Sequence, residues 1–135
     1  MRPTGGGAAI DTAAGRVACA VGAIYMLAGI VGFAFVAFGG SHLLLFMITP
    51  LHNLAHFALG ALLVVGASRG EEAAKQAMLV VGSVFLLLSV FGPLLMDMPM
   101  NMLGLNAADH VLHGLTAVVL IGAPVLLGRR RPQEQ

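Results

Sequence analysis

The sequence predicts an all-α, polytopic membrane protein whose four transmembrane helices form two tandem hairpins. Three observations predict it: four long apolar runs, strong cations confined to alternate breaks between them, and matching polar openings on the second and fourth runs. Of the 135 residues, 59% are hydrophobic and 10% charged, with a mean hydropathy of +0.94. Soluble domains carry about a quarter charged residues, so a water-soluble globule is a poor fit. The length suits one small bundle and no second domain.

The chain divides into a disordered tail over 1–15, a membrane domain over 16–128 and a basic tail over 129–135. The first run, Val17 to Phe38, lacks any charge and is long enough to cross about 30 Å of hydrocarbon as a helix. It is also longer than the apolar stretch of a signal peptide, and is read as a retained span. Small residues recur along it at four-residue spacing (Ala18 with Gly22, Ala28 with Gly32), which lets helix backbones approach closely in lipid. The second span, about 50–67, opens on Thr49-Pro50, a cap residue followed by proline at the first helical position. The third, about 73–91, follows Glu71-Glu72, acids suited to a helix start, and stops at Gly92-Pro93. The fourth, about 107–127, ends at Gly128 before an arginine triplet.

Arg2 and Arg16 precede the first run, Arg69 and Lys75 lie between the second and third, and Arg129, Arg130 and Arg131 follow the fourth. The other two loops hold no Lys or Arg. The positive-inside rule then places both termini in the cytoplasm of a bacterial inner membrane. No basic stripe interleaved with aromatics exists, so nucleic acid is not an expected partner; the lipid bilayer is. The single cysteine, Cys19, has no partner for an intrachain disulfide and reads as a small packing residue.

The second and fourth spans repeat at an offset of 57 residues. Thr49 aligns with Asn106, His52 with Asp109, Asn53 with His110, and His56 with His113. In a four-span chain these two helices run in the same direction, so their polar openings share one depth beneath the extracytoplasmic surface. Residues four apart lie on one helix face, so His52 pairs with His56 and Asp109 with His113. Three imidazoles and a carboxylate on facing helices make a candidate set for copper or another transition metal. Asn53 and His110 are expected beside it as orienting groups. A b-type haem held axially by His56 and His113 is a further candidate cofactor. A non-metal reading stands beside these: Asp109 favours the helix start three residues after the cap Asn106, and the imidazoles fasten the hairpins through hydrogen bonds of about 1 kcal/mol each.

The loop before the fourth span reads Met96-Asp97-Met98-Pro99-Met100-Asn101-Met102. Thioethers select Cu(I), and in an extended chain alternate methionines would share one face, giving a secondary metal site together with His110. The alternative is an apolar segment lying in the membrane interface, like Leu43 to Ile48 in the other outer loop. His42 has no counterpart in the repeat and reads as a solvated loop residue. Phosphate-cradling glycine motifs and nucleophile elbows are absent, and polar residues confined to one end give no transport pathway.

The two openings resemble an uncharacterised family of small bacterial four-helix membrane proteins, domain of unknown function 4383. Asn53, His56 and Gly60 stand where that family has Asn, His and Gly in its second span. Asn106, Asp109 and His113 match the Asn, Asp and His that open its fourth. The resemblance implies a membrane-embedded fold and no particular activity; the methionine loop and His110 depart from the family pattern. The sequence reading is thus a non-catalytic accessory or scaffold protein in which Asn53, His56, Asn106, Asp109 and His113 join two hairpins. Its alternatives are a metal or b-haem protein using His52, His56, Asp109 and His113, and a small subunit partnering other membrane subunits of a respiratory or photosynthetic complex.

Overall fold

A computed structural model describes residues 9–128. A 3-10 turn (Ala9–Asp11) leads into α1 (Ala13–Ala37), followed by a small hairpin of β1 (His42–Leu43) and β2 (Phe46–Met47). Then come α2 (Pro50–Arg69), α3 (Glu71–Phe91), a 3-10 turn (Gly92–Leu95) and α4 (Ala107–Gly128). The four helices match the four spans, and each is long and apolar enough to cross a membrane.

Local chemistry places most boundaries. The first helix starts about a turn earlier than expected, because the Thr12 hydroxyl caps it by accepting from the backbone N–H of Gly15 at 2.9 Å. Ala13 to Gly15, assigned by sequence to the tail, are therefore helical. The arginine triplet and the first eight residues lie outside the described residues. Thr49 caps α2, and Pro50 occupies its first turn. A single residue, Gly70, joins α2 to α3 at φ +122°, a conformation that side chains disfavour. Just beyond it, Lys75 pairs with Glu71 at 2.7 Å and Glu72 at 3.0 Å. The third α-helix ends at Phe91, and Gly92–Leu95 follow it as a 3-10 turn.

The packing is that of a protein whose solvent is lipid. Fully buried positions are mainly small or medium-sized (Ala14, Ala18, Ala74, Ala117, Leu63, Val81), while Ile24, Leu27, Leu115 and Val118 are more than 60% exposed. In water so much apolar surface would drive association; in hydrocarbon it is neutral, and close helix contact supplies the cohesion. The tightest approach is between α1 and α2. A Cβ added at Gly60 would lie 2.6 Å from the Gly22 carbonyl oxygen and 2.7 Å from the Met26 nitrogen. The most extensive helix contacts are α1 with α2 and α3 with α4, which is the arrangement of two tandem hairpins.

Candidate functional site

The starts of α2 and α4 lie side by side at one end of the bundle and are tied together reciprocally. The Thr49 hydroxyl accepts from the His52 backbone N–H at 3.1 Å and donates to the Leu103 carbonyl, in the segment before α4, at 3.2 Å. Asn106 mirrors it: its side chain accepts from the Asp109 N–H at 3.1 Å and donates to the Leu45 carbonyl, in the turn before α2, at 2.9 Å. Asp109 returns the capping bond, one carboxylate oxygen accepting from the Asn106 N–H at 2.8 Å.

Beneath these caps the structure brings His52, His56 and His113 together. The His52 and His56 Nε2 atoms are 3.1 Å apart, and those of His56 and His113 3.4 Å apart. One potential ligand atom from each ring lies within 4.8 Å of the others. His52 and His113 are fully buried and His56 is half-buried. Phe85 of α3 stacks on His113 with ring centroids 4.8 Å apart and planes at 3°, while Tyr25 of α1 meets His56 edge-on at 4.9 Å. The free carboxylate oxygen of Asp109 lies 3.9 Å from His52 Nε2, beyond hydrogen-bond range but on the border of the cluster.

Proton placement follows from one fixed bond. His52 Nδ1 lies 2.9 Å from the Met47 carbonyl oxygen, which only accepts, so Nδ1 carries the hydrogen. In the neutral ring Nε2 is then a bare lone pair, and His56 must donate to it. That leaves the third imidazole poorly served: His113 Nδ1 is buried without a partner. The single His56 Nε2 hydrogen serves His52, so the close approach of the His56 and His113 Nε2 atoms has no settled donor.

The groups expected to orient this cluster point elsewhere. Asn53 and His110 follow His52 and Asp109 by one residue, about 100° round the helix, so they face different neighbours. The Asn53 amide packs on Gly32 of α1 and the His110 ring on Gly92, and neither side chain has a hydrogen-bond partner. The methionine loop is a series of turns rather than an extended segment, with Met98 N–H bonded to Leu95 O and Asn101 N–H to Met98 O. Met98, Met100 and Met102 are exposed and Met96 is half-buried. His42 is exposed on β1 beside Ser41.

Sequence reasoning missed Tyr25, Phe85 and Thr116. The Tyr25 hydroxyl lies 2.8 Å from Thr116 Oγ1 and links α1 to α4. Thr116 in turn donates to the Leu112 carbonyl at 2.9 Å, so the phenol is the donor in the first bond. The available signals were a lone tyrosine in an apolar run and a threonine three residues after His113, on the same helix face.

A family model described as Domain of unknown function (DUF4383) matches residues 16–126, which include α1 after its first three residues, all of α2 and α3, α4 but for its last two residues, and every residue of the cluster. The chain belongs to this family. No curated protein and no solved structure matches it. The family thereby fixes a lineage and no chemistry, and the reading of function rests on the geometry above.

Proposed function

We propose that this multi-pass membrane protein binds one first-row transition ion, zinc or copper foremost, on the Nε2 atoms of His52, His56 and His113. The carrying observation is the mutual approach of those atoms, 3.1 and 3.4 Å along the series. Two nitrogens bound at about 2.0–2.1 Å to one tetrahedral ion lie about 3.3 Å apart, so these two pairs already stand near that spacing, while His52 and His113, within 4.8 Å, have to draw together. Imidazole suits zinc, copper and iron alike. The bond from His52 Nδ1 to the Met47 carbonyl is the kind that fixes a ligand imidazole in its tautomer and orientation. Asp109, with one oxygen free, supplies negative charge beside the ion. An ion would also use all three lone pairs, which the protein's own hydrogens cannot do.

A b-type haem fits less well. The His56 and His113 rings stand at 89° with His52 adjoining, and Tyr25 and Phe85 pack against them, leaving no plane open for a macrocycle. The positive-inside rule, applied to the seven Lys and Arg residues, puts the cluster near the outer face of the cytoplasmic membrane.

A structural role accompanies the ion. The reciprocal bonds of Thr49 and Asn106 join the hairpins independently of any metal, so the cluster sits on a clasp that stays closed when the ion leaves. Cobalt tests the metal reading directly. Detergent-purified protein given one equivalent of Co(II) should develop the intense visible bands of a four-coordinate ion, and His113→Ala should lose them while keeping its helical circular dichroism. A wild-type spectrum identical to that of free aqueous cobalt would overturn the proposal.

A further inference from the structure

α1 and α4 make little direct contact, and between them lies a cavity of about 430 Å³. That volume falls in the range of small-molecule sites, about 300–1,000 Å³. Its walls are aliphatic, with Val21, Ile24 and Ala28 from α1 and Leu112, Leu115 and Val119 from α4. Ile24, Leu115 and Val119 are also 65%, 64% and 47% exposed, so the rim faces the surroundings of the bundle, which in a membrane are acyl chains. Leu43, Leu44 and Phe46 of the β-hairpin segment close the end nearest the helix caps. The polar residues that line it are Tyr25 of α1, His52, Asn53 and His56 of α2 and Thr116 of α4. Of the three clustered imidazoles, the two that line the cavity include the half-buried one, His56.

Apart from the Asn53 amide, which is unpartnered and packs on Gly32 of α1, the hydrogens of these polar groups are spoken for. His52 Nδ1–H goes to Met47 O, the Thr116 hydroxyl to Leu112 O, and the Tyr25 hydroxyl to Thr116; His56 Nε2–H points to His52. What remains on the histidine, tyrosine and threonine side chains is acceptor capacity, on the Tyr25 oxygen and the His56 ring. We infer that the cavity takes a membrane-dissolved amphiphile whose O–H head donates to Tyr25 and His56 while its apolar body lies between α1 and α4. A hydroquinone and a protonated fatty acid both present such a head. The inference rests on the cavity and its hydrogen bonds rather than on the ion, because Tyr25 stays an acceptor whether or not the histidines hold a metal.

Native mass spectrometry of the intact, chelator-stripped protein in detergent tests this, since adduct mass separates the two sources. The probes are decylhydroquinone and palmitic acid, each compared with its O-methylated counterpart. At least one of the two O–H probes should be retained at one per chain, about tenfold more than its methylated partner, in keeping with the loss of one or two hydrogen bonds. Ala28→Phe and Val119→Phe, which fill the cavity from opposite walls, should each abolish retention; either one with wild-type helicity suffices. Retention of neither probe, equal retention of methylated and O–H heads, or unchanged retention in a folded cavity-filling variant would each overturn the inference. Because no metal is present, failure here is separate from failure of the cobalt experiment.

Discussion

The first turns of α2 and α4 are one design carried out with different side chains. Both have a capping residue that bonds its own helix and reaches across to the loop before the other, and both carry a histidine about two turns below, His56 and His113. They differ at the intervening position, His52 on α2 and Asp109 on α4. The shared parts hold the helices in register, and the difference creates the chemistry. Four identical residues would give a symmetric knot, whereas three imidazoles beside one carboxylate give nitrogen ligands with a compensating charge. The hairpins also cohere differently, with backbone on backbone at Gly22 and Gly60 but an alanine, Ala117, at the matching position of α4.

Packing offers the largest contrast between the two repeats. Gly60→Val forces a side chain into the Gly22 and Met26 backbone and should destabilise the fold by about 3 kcal/mol. At the equivalent site Ala117→Gly should cost about 1 kcal/mol, the helix-propensity difference. Thermal unfolding in detergent measures both, and equal losses would mean that the hairpins do not pack unequally.

Exchanging the differing residues sharpens the comparison at the cluster. His52→Asp alone removes a ligand and should weaken ion binding at least about 100-fold, equivalent to about 2.7 kcal/mol. Adding Asp109→His restores a third imidazole from the mirrored position and should recover most of that loss in a zinc competition titration. No recovery would show that the two helix starts are not interchangeable. In wild type, acid should release the ion, because each ligand imidazole must be unprotonated to bind; lowering pH therefore weakens binding and raising it strengthens it, within the soluble range of the metal.

The caps come next in size. Asn106→Ala deletes the acceptor for the Asp109 N–H and the 2.9 Å bond to Leu45 O, while the backbone N–H that Asp109 accepts survives, so a loss of about 2 kcal/mol is expected. Thr49→Ala, whose bond across to Leu103 O is longer at 3.2 Å, should lose about 1 kcal/mol. Chemical unfolding of the two variants side by side checks the order; a reversed order would place the stronger tie on α2. Least affected should be the triple variant Met98→Leu, Met100→Leu, Met102→Leu. These side chains are exposed on turns away from the imidazoles, and ion affinity at the cluster should change less than about twofold, the uncertainty expected of surface changes.

Much of this arrangement was legible beforehand because lipid imposes strict rules. Apolar length specifies the four helices, Thr49-Pro50 and Asn106 mark two starts, and the offset of 57 residues pairs His56 with His113. Helical spacing alone put His52 and His56 on one face. What spacing does not carry is rotation between helices. Asn53 and His110 sit one residue from the cluster, yet glycines at positions 32 and 92 open space for them on other sides. Tyr25 was hidden for the opposite reason: it lies in a charge-free run whose only visible pattern was small residues, and its contact with Thr116 spans the full chain order. The early start of α1 turned on one hydroxyl, Thr12, which outweighed the glycine-rich composition before it.

Metal content is the most direct test of whether three rings from two hairpins form one centre. Protein purified in detergent, loaded with excess zinc, desalted and analysed by plasma mass spectrometry should retain one zinc per chain. His56→Ala and His113→Ala, altered on different hairpins, should both retain close to none. A wild-type protein that keeps no zinc or copper after loading, or variants that keep as much as wild type, would contradict the account.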